Sequence, residues 1–168
     1  RLDALLIASP APSRPFTVLV GCPAGEWHTF TPLLLSLFLR RRGVNVIYLG
    51  ANVPSIRFEE TVKAVRANLV VLVSQTLTSA ASLQQSAFTL SAKKINVAYG
   101  GRIFNLHPEV TSFVPGFHLG NSVAASIDEV EAILNGKRKP VKIKSALQEY
   151  ASAHQFFVSK RADIEHIA

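Results

Sequence analysis

An acid and an imidazole separated by a single residue, Glu26-Trp27-His28, are the side chains best suited to chemistry in this chain. A carboxylate that accepts the N–H of one ring nitrogen fixes the tautomer and raises the basicity of the other nitrogen. That arrangement serves a metal ligand or a general base; the plain alternative for a histidine in a loop is a capping or surface role. Hydrolytic chemistry lacks its partners, because the chain has no Gly-x-Ser-x-Gly nucleophile turn, no convincing second acid and no second histidine at metal spacing. A free zinc ion calls for about three or four protein ligands. One imidazole is enough when the metal arrives already held by a macrocycle.

Two other short segments have chemical potential. Ser74-Gln75-Thr76-Leu77-Thr78 offers hydroxyls and an amide suited to a ring nitrogen or a ribose, although such a loop also commonly caps the helix that follows. Gly100-Gly101 either makes a tight turn or leaves room for a bulky group to lie against the backbone. Cys22 is the sole cysteine, so it has neither an internal disulfide partner nor a cysteine-based zinc site, and at a strand end it reads as a buried, inert thiol.

These residues need a scaffold, and the hydrophobic pattern supplies one. Residues 16–20 have the length and content of a buried parallel strand, and Thr31-Pro32 reads as a helix start, since the missing proline N–H costs nothing at the first helical position. The expected elements then alternate: a helix over 32–42 ended by Gly43, a strand over 44–49, a helix from Pro54 or Ser55 to about Ala67, and a strand over 69–73. A polar loop spans 74–78, followed by a helix over 79–93, a strand over 95–99, a less regular stretch over 102–115, a short strand over 117–119 and a helix over 122–134. Strands alternating with helices predict an α/β fold with a parallel sheet and right-handed crossovers, of the flavodoxin-like (Rossmann-like) doubly wound type with order 2-1-3-4-5. Its switch point lies between the first and third strands, so the loops carrying His28, Ser74 and Gly100-Gly101 should line one crevice at the carboxyl ends of the strands.

Outside that core, residues 1–15 read as the end of a preceding helical segment (Leu2, Leu5 and Leu6 on one face) and a proline-rich linker. Residues 136–168 read as a basic linker and an extra C-terminal helix with an apolar stripe through Leu147, Tyr150, Ala151, His154, Phe157 and Val158. An arginine as first residue suggests a piece of a longer protein. With 168 residues, 48% of them apolar, the chain can bury one good core. No apolar run reaches about 18 residues and no secretory pattern is present, so no membrane partner and a cytoplasmic location are expected. The formal charge of +7 would fit a nucleic acid or acidic membrane, but it is dispersed. Arg40-Arg41-Arg42 suits a helix C-terminus, and Lys137-Arg138-Lys139 suits a solvated linker.

Taken together and in register with the expected strand ends, the three segments resemble the signatures of cobalamin-binding domains: Asp-x-His-x-x-Gly, then Ser-x-Leu, then Gly-Gly. The resemblance covers about residues 16–135. The variant Pro23-Ala24-Gly25-Glu26-Trp27-His28 is most similar to the cobalamin domains of light- or B12-responsive transcriptional regulators, including the MerR-type photoreceptor repressors and related antirepressors. The chain departs from the general pattern at three positions: Glu26 stands for Asp, Thr31 for Gly and Thr76 for Leu.

The resemblance implies a cofactor, adenosylcobalamin or methylcobalamin, whose cobalt is ligated from below by His28 in place of the dimethylbenzimidazole. Glu26 would hold the imidazole, Trp27 and Thr29 would flank it, and the displaced nucleotide tail would enter the crevice near Ser74, Thr76 and Leu77, over Gly100 and Gly101. It also implies a helical cap over the upper face and a DNA-binding domain elsewhere in the full protein or on a partner regulator, with a homo-oligomer as a further arrangement. The chain would then be a sensory domain, with light as one candidate signal, rather than an enzyme. The rivals are a corrinoid methyl-carrier subunit of a methyltransferase system, and a degenerate domain that binds another tetrapyrrole or only protein partners.

Overall fold

The computed structural model describes residues 2–143. The expected C-terminal helix over 144–168 lies outside the described residues. Five parallel strands, β1 (Thr17–Pro23), β2 (Asn45–Val53), β3 (Leu69–Val73), β4 (Val97–Gly100) and β5 (Phe117–His118), form one sheet of order β2-β1-β3-β4-β5. This is the flavodoxin-like arrangement predicted from the alternating pattern, with β3 buried at every position as its unbroken Leu-Val-Val-Leu-Val run requires.

Helices α1 (Leu2–Ile7), α2 (Phe30–Arg41), α3 (Ser55–Val65), α4 (Leu77–Ala92), α5 (Arg102–Leu106) and α6 (Val123–Leu134) surround it, with a 3-10 turn at Pro108–Phe113. Because successive strand residues point to opposite faces, the sheet builds two cores. Leu19, Val70 and Leu72 pack with Phe58 and Val62 of α3, Leu83, Ala87 and Leu90 of α4, and Phe104 of α5. Val18, Val20, Val71 and Val73 pack on the other face with Leu35 and Leu39 of α2 and Ile127, Val130 and Ile133 of α6. α1 lies against α2, and the Arg40 guanidinium donates to the Leu6 carbonyl at 3.1 Å.

The element ends differ from the sequence expectation at the loops that follow the strands. β1 runs on to Pro23, and β2 runs to Val53 with register shifts against β1 after Val20. α2 begins at Phe30, so Pro32 occupies its third position, where an N–H would still lack an intrahelical partner. α4 begins at Leu77 rather than Ser79, because Thr76 caps it: the Thr76 hydroxyl accepts from the Ser79 N–H at 3.2 Å. Arg40 and Arg41 do fall in the last turn of α2. The buried Cys22 donates its thiol to the His28 carbonyl at 3.7 Å, and burial, helped by the nearby Glu26 charge, pushes its pKa up to about 12.

Candidate functional site

The carboxyl ends of β1, β3, β4 and β5 meet in a crevice at the switch point of the sheet, the position where open α/β sheets take their ligands. One lobe, of about 540 Å³, is lined by His28, Thr29, Phe30, Thr31, Gln75, Thr76 and Arg102. A second, of about 250 Å³, is lined by Thr31, Gln75, Gly101, Arg102 and Asn105 with the loop and first turn leading into α6. Thr31, Gln75 and Arg102 border both lobes.

Glu26 is the buried centre of this region, 1% exposed, whereas the His28 side chain beside it is 67% exposed. One Glu26 oxygen, Oε1, accepts from the backbone N–H of His28 at 3.0 Å and lies 2.6 Å from His28 Nδ1. The other, Oε2, accepts from the Gln75 backbone N–H and from the Ser79 hydroxyl, both at 2.6 Å. Burial by itself would raise the pKa of this carboxyl. The bonds from Ser79, Gln75 and His28 outweigh it and hold the pKa down at about 2. Glu26 is therefore ionised at neutral pH and accepts a hydrogen bond from Nδ1–H of His28, which directs Nε2 away from the acid. Among the described residues, none bonds Nε2.

The loop holding the pair is tied down from β2. Asn52, in the left-handed region at φ +51°, donates its backbone N–H to the Glu26 carbonyl at 2.9 Å and accepts the Gly25 N–H on its side-chain oxygen at 2.9 Å. Asparagine tolerates that conformation better than most side chains. The Tyr48 hydroxyl reaches the Thr29 carbonyl at 3.4 Å. Neither Asn52 nor Tyr48 was marked by sequence; Asn52 carried only the generic turn signal of Gly-Ala-Asn.

Ser79 is the member of this hydrogen-bonded cluster that the sequence does not single out. The residue is 1% exposed, and its hydroxyl contacts Glu26 Oε2, Ser74 Oγ at 2.5 Å and Thr76 Oγ1 at 2.9 Å. The Thr76-x-x-Ser79 spacing of a capping box was the signal available for it. Ser74 is fully buried, and its hydroxyl is engaged by Ser79 and the Thr76 carbonyl, whereas Thr76 and Leu77 are exposed at the start of α4. Gly101 has φ +125°, and a Cβ there would stand 1.9 Å from the Ser74 carbonyl oxygen, so close passage of the two loops accounts for this glycine. Gly100 is different: a Cβ would meet only Leu119 Cβ at an ordinary 3.7 Å. Gln75 bridges the loops by accepting the Arg102 N–H on its side-chain oxygen at 3.1 Å. Of the nine predicted site residues, Glu26, His28, Thr29, Ser74, Thr76, Gly100 and Gly101 thus fall at this end of the sheet, with exposed Trp27 and Leu77 beside them on the loop and on α4.

The donor set suits a metal delivered by a macrocycle. Among the described residues, no group of three or more His, Cys, Asp or Glu could hold a bare ion. His28 nevertheless presents an oriented, solvent-facing nitrogen at the mouth of an open lobe.

Comparison with known proteins points the same way. The model of the B12 binding domain matches residues 16–122. The HTH-type transcriptional repressor CarA of Myxococcus xanthus is 32% identical over 139 residues, which is 81% of this chain and 45% of the repressor. The chain thus spans less than half the length of that relative. Among solved structures, a cobalamin-binding protein from Desulfitobacterium hafniense superposes with a TM-score of 0.63 at 18% identity, over 69% of this chain and 58% of the other. The methanol:cobalamin methyltransferase complex MtaBC of Methanosarcina barkeri gives 0.61 at 21% identity over 71% of this chain and 46% of the other. The monomethylamine corrinoid protein of Methanosarcina barkeri gives 0.59 at 16% identity over 80% and 63%. At those identities the structural likeness establishes the fold, and the family match adds the lineage: residues 16–122 make this chain a member of the B12-binding domain family.

Proposed function

We propose that this chain is the cobalamin-sensing domain of a transcriptional regulator, with Nε2 of His28 as the lower axial ligand of the cobalt. The observation that carries the reading is the Glu26–His28 pair: a buried carboxylate held by Gln75 and Ser79 grips Nδ1 at 2.6 Å and leaves the other nitrogen open at the crevice mouth. The regulatory role rests on similarity to the CarA repressor over 81% of this chain.

When bound, the cofactor would supply a macrocycle-held metal with exchangeable ligands, which His28 would hold and to whose change of state, by light in one version of this reading, the domain would respond. Each part of the chain's own site has a physical task. Glu26 keeps the ring in one tautomer and one orientation, and its second oxygen ties that ring to the amino end of α4. Asn52 ties the loop to β2 through its bonds to Glu26 and Gly25. Trp27 and Phe30, 67% and 68% exposed, present apolar surface on either side of His28 in the chain, the kind of surface that a helical cap would cover. A cap and a DNA-binding domain elsewhere in the protein, or on a partner, would read the state of the site. Such a switch requires that two cofactor states interact differently with two arrangements of the domains.

The test is a visible spectrum of the purified chain with methylcobalamin and with adenosylcobalamin, in the dark and after green illumination. A base-off, histidine-on spectrum that His28→Ala abolishes supports the ligand assignment; the spectrum of free cofactor with every cobalamin overturns it. Transfer of a methyl group from a donor to the reduced corrinoid, and from the methylated corrinoid to an acceptor, would favour a methyl carrier over a sensor.

A further inference from the structure

We infer that the guanidinium of Arg102 anchors the phosphodiester of the cofactor's nucleotide tail, so that this chain selects complete cobalamins over corrinoids that lack the tail. The inference rests on the corrinoid reading above and adds a specificity-determining residue to it.

Arg102 directly follows the glycine pair and opens α5, where Gln75 holds its backbone N–H at 3.1 Å and so fixes its place on the crevice wall. It borders both lobes, together with Thr31 and Gln75, and it is exposed. Arg14, Arg42, Arg57 and Arg138 are each paired with a carboxylate. Among the described residues the Arg102 guanidinium has no such partner, which it shares with Arg40, Arg41 and Arg66, but of these four only Arg102 lines the crevice. Among the described residues no Asp or Glu lines either lobe, and the ionised Glu26 lies buried behind them with its oxygens taken up by His28, Gln75 and Ser79.

A corrinoid tail offers that cation a matching group. The amides around the macrocycle are neutral, whereas the phosphodiester joining the nucleotide to it carries a full negative charge. A planar guanidinium meets two phosphate oxygens in parallel, a geometry that an ammonium does not reproduce. If the base is displaced by His28 and the tail enters the crevice, the phosphate must pass the rim that Arg102 shares between the lobes. A tail-less corrinoid would leave the guanidinium in solvent, so replacing Arg102 would cost it nothing.

The experiment is a dark absorbance titration of the whole chain with methylcobalamin and, in parallel, with methylcobinamide, which lacks phosphate and nucleotide. For Arg102→Gln the Kd for methylcobalamin should rise about tenfold, the scale of one charge-assisted hydrogen bond, while that for methylcobinamide stays unchanged. Arg102→Lys should fall between, and raising NaCl from about 0.05 M to about 0.5 M should shrink the gap between wild type and Arg102→Gln. A thermal melt of each variant matching wild type would show that the fold is retained, as expected for an exposed side chain. Equal loss for both corrinoids, or no loss for either, overturns the phosphate assignment while leaving the corrinoid reading standing. Failure of the wild-type chain to bind both corrinoids overturns the corrinoid reading and this inference with it.

Discussion

The carbonyl oxygen of Ser74 occupies the space in which any side chain at position 101 would begin: a Cβ on Gly101 would lie 1.9 Å from it. The loop after β3 and the loop after β4 therefore pass in contact, and the Ser74 N–H donates to the Gly100 carbonyl at 3.0 Å across the same junction. Gly101→Ala should destabilise the domain by at least about 2 kcal/mol, from the clash together with a backbone conformation that L side chains rarely adopt. Gly100→Ala should change stability by less than about 1 kcal/mol, since its Cβ would make ordinary contact with Leu119. Urea denaturation of both variants checks this. A loss of corrinoid affinity in Gly100→Ala without loss of stability would locate the ligand against that residue.

Glu26 should make stability depend on acid. Its folded pKa, about 2, lies below the ordinary value of 4.5, so the stabilisation is complete above the unfolded pKa and disappears as pH falls through the folded one. The window runs from about pH 5 down to about pH 2, and the amount at stake is at most on the order of 3 kcal/mol. Denaturation curves at a series of pH values should show this slope, and Glu26→Gln should remove part of it. Identical pH profiles for variant and wild type would contradict the assignment.

Ser79 couples the acid to the helix cap, so its loss should exceed that of the cap alone. Thr76→Ala removes the cap acceptor and should cost about 1 kcal/mol. Ser79→Ala also leaves Glu26 Oε2 with one donor fewer and Ser74 without its 2.5 Å partner, so about 2 kcal/mol is expected. A double-mutant cycle between Ser79→Ala and Glu26→Gln should return a coupling of about 1 kcal/mol or more, whereas additive effects would mean that the 2.6 Å contact carries no energy.

Thr31 borders both lobes of the crevice at the position where the family motif has glycine. Thr31→Gly should open the passage between the lobes and tighten cobalamin binding severalfold, at a helix-propensity cost of less than about 1 kcal/mol because the residue lies in the first turn of α2. Unchanged affinity by absorbance titration would mean that the tail does not pass this residue.

From the sequence alone, the alternation of apolar runs with helical periods determined the class of fold and the strand order, because an all-apolar strand such as Leu69–Val73 is stable only with both faces covered. It also determined that Glu26, His28, Ser74 and Gly100-Gly101 would gather at one end of the sheet, since topology alone brings those strand ends together. What tertiary structure decided is how they are used. Glu26 reaches Ser79 across 53 positions and Gln75 across 49, and Asn52 holds Gly25 across 27; contacts of that range leave no periodic trace in a chain. The same holds for the two glycines. They are identical as letters, yet one is required by a neighbouring carbonyl and the other is not, a difference set only by how closely two loops approach in space.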